Sequence, residues 1–165
     1  MRVLGLIAML APLVALASQP QGSDPYRSLQ KEGVKFFARF SVVDDSAWKV
    51  LVKQQDGEDL LTVLDDRTAR VLLSAAGNSE RFLSAEAVQL GNRSDPFLVT
   101  RWTKGAHGEE IRIYDPKTTQ GKPLVFSKAS SWTIGYQQSN GKLKITGRAD
   151  GRVNSSDGAF EVSWP

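Results

Sequence analysis

The chain has no cysteine and a single histidine among its 165 residues. The first absence excludes disulfides, thiol nucleophiles, thiolate metal centres and a lipid-modified N-terminal cysteine. A domain of this length can be held by packing alone, which small secreted scaffolds usually cannot. The second leaves His107 as the one imidazole. A zinc site would therefore need carboxylates for its remaining ligands, and the H-E-x-x-H spacing is missing. The phosphate-cradling G-x-x-x-x-G-K, the dinucleotide G-x-G-x-x-G and the nucleophile elbow G-x-S-x-G are missing too. The expectation is a chain with no cofactor and no metal.

Long apolar runs are also scarce. Beyond Leu16 none approaches the ~20 residues that a membrane-spanning helix needs, so no stable membrane insertion is expected of the mature chain. Charge of one sign is lacking as well: 21 basic residues stand against 18 acidic ones, a net +3. They alternate along the chain and form no basic stripe, which argues against a nucleic-acid partner.

What the N-terminus does contain is a positive Arg2, an apolar run from Val3 to Leu16 and the small-x-small pattern Ala15-Leu16-Ala17. Signal peptidase reads that combination, and cleavage is expected after Ala17. The mature chain would be periplasmic or extracellular, with 165 − 17 = 148 residues, a length typical of one domain. Residues 18–33 carry Pro20, Gly22 and Pro25 and read as an extended leader, with Tyr26 and Leu29 as its apolar contacts. Residues 34–165 form a single β domain.

From Val34 the apolar period is two, with Phe36, Ala38, Phe40 and Val42 on one side of a strand and Lys35, Arg39 and Ser41 on the other. An Asp56-Gly57 two-residue turn would put Gln55 opposite Glu58, Val52 opposite Leu61 and Val50 opposite Val63. Trp48, Val50, Val52, Leu61 and Val63 then share one face, while Leu51, Leu60 and Leu64 make the other face partly apolar. The run from Leu60 to Ala76 also fits a helical stripe, but the β-branched Thr62, Val63 and Val71 and the Asp65-Asp66-Arg67 turn favour strands. Over 79–85 a short helix is the expectation, before a strand at about Glu86 to Leu90.

Gly91 to Pro96 is a loop. Phe97 to Tyr114 then gives two strands around the bend at Gly105-Ala106-His107-Gly108. Leu124-Val125-Phe126 is a further strand. Asn140-Gly141, the strongest hairpin signal in the chain, sets Tyr136 opposite Ile145 and Gln138 opposite Leu143. Trp132, Ile134, Tyr136, Leu143 and Ile145 then lie on one face. Asp150-Gly151 and Asp157-Gly158 mark turns before a closing strand, Phe160 to Trp164. The sum is an all-β antiparallel meander of about ten strands, arranged as a partial propeller, a β-sandwich or an irregular barrel.

The chain also resembles itself at a period near 50: Leu61-Thr62-Val63-Leu64-Asp65-Asp66-Arg67-Thr68 parallels Ile111-Arg112-Ile113-Tyr114-Asp115-Pro116-Lys117-Thr118. Each copy continues into an apolar strand ending in serine, Val71 to Ser74 and Leu124 to Ser127, and a weaker third copy starts at Phe160. Periods of this size belong to propeller blades. Over about residues 86–127, Val88-Gln89-Leu90, the Gly91 to Pro96 loop, Phe97 to Thr100 and Gly105-Ala106-His107 together resemble blades of FG-GAP or integrin-alpha-type propellers. Those loops bind calcium through alternating Asp and Asn, whereas Gly91, Arg93 and Asp95 stand at the alternating places here, so the resemblance implies no calcium. Two and a half units are also too few for an ordinary closed ring.

His107, flanked by Glu109 and Glu110 and by glycines, is the obvious residue for acid-base chemistry. Trp48, Trp132 and Tyr136 fall on apolar faces and read as core. Trp102, beside the bend and next to Arg101, reads as a surface contact residue. The leading expectation is a non-enzymatic binding or structural module that meets a protein or glycan partner through Trp102, Lys104, His107, Glu109 and Glu110. The alternatives are a carbohydrate-binding module and a hydrolase using His107 with nearby carboxylates.

Overall fold

A computed structural model describes residues 32–42, 46–118, 122–148 and 160–164. The segment read as a signal peptide, nearly all of the leader, the Asp44-Asp45 pair that would turn the chain after the first strand, and the turns expected at Asp150-Gly151 and Asp157-Gly158 lie outside the described residues. The domain limits are therefore a matter of sequence.

The described residues form eleven strands: β1 (Val34–Ser41), β2 (Ala47–Gln55), β3 (Glu58–Asp65), β4 (Val71–Ala76), β5 (Phe82–Val88), β6 (Phe97–Lys104), β7 (Gly108–Tyr114), β8 (Leu124–Ser130), β9 (Ile134–Ser139), β10 (Lys142–Gly147) and β11 (Phe160–Trp164). Within each of three sheets, β1-β2-β3-β4, β5-β6-β7-β8 and β9-β10-β11, strands adjacent in sequence pair antiparallel. The chain is all-β, and no sheet among the described residues closes into a barrel.

Local turn chemistry sets the registers. Asp56 and Gly57 take φ of 52° and 83°, and Asn140 and Gly141 take 51° and 71°, the left-handed pair that a two-residue hairpin turn needs. Gln55 accordingly faces Glu58, Val52 faces Leu61, and Val50 faces Val63. Tyr136 faces Ile145 and Gln138 faces Leu143. Leu51, Leu60 and Leu64, on the opposite face of the first sheet, stay part-exposed.

No helix occupies 79–85. Asn78 and Ser79 have positive φ, 56° and 69°, which ends any right-handed helix at its start. From Phe82 the chain pairs with β6, Phe82 facing Trp102 and Ala85 facing Thr100. The Phe82 ring sits 4.9 Å from Phe36 and 5.4 Å, edge-on, from Trp102. Such packing outweighs the local helix preference of the stretch.

The repeat has a structural counterpart. Its two copies are the third strands of the two four-stranded sheets, β3 and β7, with the turns that follow. The ladder to the fourth strand shifts register between Val63 and Leu64 in one sheet and between Ile113 and Tyr114 in the other. In the following turns, Asp65 Oδ1 accepts the backbone N–H of Arg67 at 3.1 Å, and Asp115 Oδ1 accepts that of Lys117 at 3.1 Å. A short acceptor side chain that ties up its own turn explains why aspartate recurs there. β11 is likewise the third strand of its meander.

The sheets stack in three layers. Trp48, Val50, Val52, Leu61, Val63 and Leu73 of the first meet Leu98, Trp102 and Tyr114 of the second. Val99, Ile111 and Ile113, on the other face of the second sheet, meet Ile134, Leu143 and Ile145 of the third. Covered on both sides, β6 reads as a continuous apolar run at Phe97-Leu98-Val99, as a central strand should.

Candidate functional site

The β6–β7 hairpin carries all five residues expected to make contacts, and the pleat divides them. Residues facing each other across an antiparallel ladder point the same way, so Trp102 and Glu110 share the face toward the first sheet, while Thr103 and Glu109 share the face toward the third. His107 lies in the turn between them, exposed.

Trp102 is not a surface residue. It is fully buried, its indole N–H donates to Thr100 Oγ1 at 2.8 Å, and the Arg112 guanidinium lies 4.8 Å from its ring centroid. Its neighbourhood in sequence, glycines and a charged residue, suggested exposure. Its position in the ladder puts it between two sheets.

Glu110 is buried beside it. Arg112 donates to Glu110 Oε2 through Nε at 3.0 Å and Nη2 at 2.7 Å, and Ser127 Oγ donates to its other oxygen. Arg112 also pairs with Glu80 and gives Nη1 to the carbonyl of Ala76 at 3.2 Å. Lys104 donates to Glu80 and lies 3.9 Å from Glu110. Burial by itself would push the Glu110 carboxyl up, but the bonds from Arg112 and Ser127 outweigh it and hold the group below its usual range. The bond to Glu80 pushes the Lys104 ammonium up. Two acids and two bases thus make a closed network in which the buried charges are paired, as burial requires.

This network floors a cleft of about 510 Å³ between β4 and the β7–β8 pair, with Leu73, Tyr114 and Leu124 on its walls. Burial raises the Tyr114 phenol above its ordinary value. The guanidinium at the base is bonded to protein groups on each of its three nitrogens, so it is not free to take an anion.

Glu109 has a different task. Its Oε2 accepts from Arg101 Nη2 at 2.6 Å and from the backbone N–H of Ile134 at 2.9 Å. It therefore clips the hairpin to the start of β9. Just before that start, Ser130 Oγ is bonded to the Arg148 carbonyl and lies within 3.4 Å of the Trp132 backbone nitrogen.

Trp132 was expected in the core and is not there. β9 begins at Ile134, and Trp132 projects from the preceding loop with 43% of its surface exposed. Its ring lies 5.8 Å from that of His107, at an interplanar angle of 36°. Extending the alternation of Ile134 and Tyr136 back by two residues gave the wrong answer because the strand stops first. The Ser130-Ser131 pair is the signal that marks the break.

The result is an exposed pair of aromatic rings from two loops, the β6–β7 turn and the β8–β9 connection, with Glu109 tying the hairpin to Ile134 beside them. The acids that would assist His107 in catalysis are directed elsewhere, Glu109 to Arg101 and Ile134, Glu110 to Arg112 and Ser127. Among the described residues no three His, Asp or Glu side chains converge as metal ligands. No family model, curated protein or solved structure matches the chain.

Proposed function

We propose that this chain is an exported, non-catalytic binding module that takes a glycan on the surface formed by Trp132 and His107. The observation that carries the reading is the exposed ring pair, 5.8 Å apart. An indole offers a flat apolar face at small entropic cost, and an adjacent imidazole adds a hydrogen-bonding edge, which together suit the C–H face and hydroxyls of a sugar. Glu109 and Ser130 support this by holding the two loops that carry the rings, so little ordering is left for the ligand to impose. Export is supported by the Arg2, Val3–Leu16 and Ala15-Leu16-Ala17 pattern. Three consecutive stacked meanders, repeating near every 50 residues, support the propeller-blade likeness as a description of the scaffold.

Binding of a glycan array followed by fluorescence titration tests the site. Trp48 and Trp102 are fully buried and Trp164 is half-buried, so a bound sugar should change the emission of Trp132 above all. Trp132→Ala should abolish binding, and His107→Ala should weaken it several-fold, both with unchanged far-UV circular dichroism. A glycan that binds the Trp132→Ala protein as tightly as the parent would overturn the assignment.

A further inference from the structure

The cleft of about 510 Å³ between β4 and the β7–β8 pair is polarised along its length. Glu110, Arg112 and Tyr114 take alternate positions of β7, so all three face the first sheet. Strand rise puts about 13 Å between the first and the last of them. The end toward the β6–β7 bend is ionic, with Glu80 and Lys104 beside Glu110 and Arg112.

The far end is apolar. Tyr114 faces Leu124 across the ladder, and Leu73 comes from β4 on the opposite side. Pro123 is held in place by its carbonyl, which accepts the Asp115 N–H at 2.8 Å. Leu124 keeps 43% of its surface exposed. A concavity of this volume, with apolar walls and a few polar groups, has the character of a small-molecule site.

The charges of the lining narrow the ligand class. At the ionic end two acids and two bases sum to zero and are tied to one another. Glu110 is held below its usual range and Lys104 above its own, while burial raises the Tyr114 phenol and keeps it neutral. That balance therefore persists at neutral pH. One lining charge remains. Lys122 is exposed, forms no ion pair among the described residues, and directly precedes Pro123 at the apolar end. A single anion would neutralise it, whereas a cation would add to the excess and a dianion would find no second uncommitted base.

We propose that this cleft binds a small apolar monocarboxylate, with its hydrocarbon part between Leu73, Tyr114 and Leu124 and its carboxylate paired with Lys122. The Trp132–His107 ring pair lies outside the lining, so the two sites stand or fall separately.

Titration of the nitrogen-15-labelled protein with hexanoate and with hexanol, followed by backbone amide shifts, tests this. Both should shift the amides of Ser74, Ala75 and Leu124, and hexanoate should bind several-fold tighter, the size of an exposed ion pair. Lys122→Gln should bring hexanoate down to the affinity of hexanol and leave hexanol unchanged. Leu124→Ser should weaken both. Shifts confined to the ring pair, or no shifts at all, overturn the proposal. So do equal affinities of the parent for the two compounds, a preference for hexanoate that survives Lys122→Gln, or a Leu124→Ser protein that binds both as the parent does.

Discussion

The Arg112 guanidinium stacks over the Trp102 ring, 4.8 Å from its centroid. The two side chains come from paired neighbouring strands of the central sheet and face the same layer. The arginine covers the indole while its nitrogens hold two carboxylates and a carbonyl, so one residue serves both packing and charge.

Arg112→Ala should be among the most damaging single changes in the protein. It leaves Glu80 and Glu110 buried without their main partner and uncovers Trp102, a loss of about 3–5 kcal/mol by analogy with broken buried ion pairs. Arg112→Lys should recover only part of this, since an ammonium cannot make the forked contact with Glu110. Urea midpoints at constant m-value measure both.

Stability should fall at both ends of the pH range. The carboxyls of Glu110, Asp65 and Asp66 lie below their ordinary values in the folded chain. The unfolded state therefore takes up protons first, and the contribution present above about pH 4.5 is lost as pH drops through the folded values. Tyr114 and Tyr136 are raised by burial, and Lys104 by its bond to Glu80. Their contribution is present below the usual phenol value of 10 and is lost as pH rises beyond it. A urea midpoint profile that stays flat below pH 4.5 would contradict the acid arm.

The two fully buried tryptophans should respond differently to phenylalanine. Trp102 donates to Thr100 Oγ1 at 2.8 Å, whereas Trp48 Nε1 is buried with no hydrogen-bond partner among the described residues. Trp48→Phe removes an unsatisfied donor along with some volume. Trp102→Phe removes a satisfied one and loosens the Arg112 stack. The second should cost more by about 1 kcal/mol, an ordinary hydrogen-bond difference.

Gly147→Ala should destabilise the third sheet. A Cβ there would run into the Phe160 ring of the residue paired with it across the ladder, and overpacking of this kind costs about 1–3 kcal/mol. Shortening the obstruction should relieve it, so Gly147→Ala made in a Phe160→Leu background should cost less than in the parent. Additive effects in that double-mutant cycle would show that the ring is not the cause.

The sequence by itself determined most of the strands, though not the start of β5 at Phe82 or of β9 at Ile134, and the pairing around the tightest turns. Asp56-Gly57 and Asn140-Gly141 fix two hairpin registers within a few residues, and a period of two fixes which face of each strand is apolar. Those are local constraints, so a linear reading can recover them. It could also see that the stretches that became β3 and β7 repeat one unit. What only the tertiary structure decided was which faces meet. The partners of Arg112 include Glu80, 32 residues away, with no spacing rule to announce it. Trp102 is buried because a whole sheet lies over its face of the ladder. Trp132 is exposed because β9 begins two residues after it. The hairpin from Phe97 to Tyr114 was rightly read as a strand, a bend and a strand, but burial of its side chains depends on layers supplied by residues far along the chain.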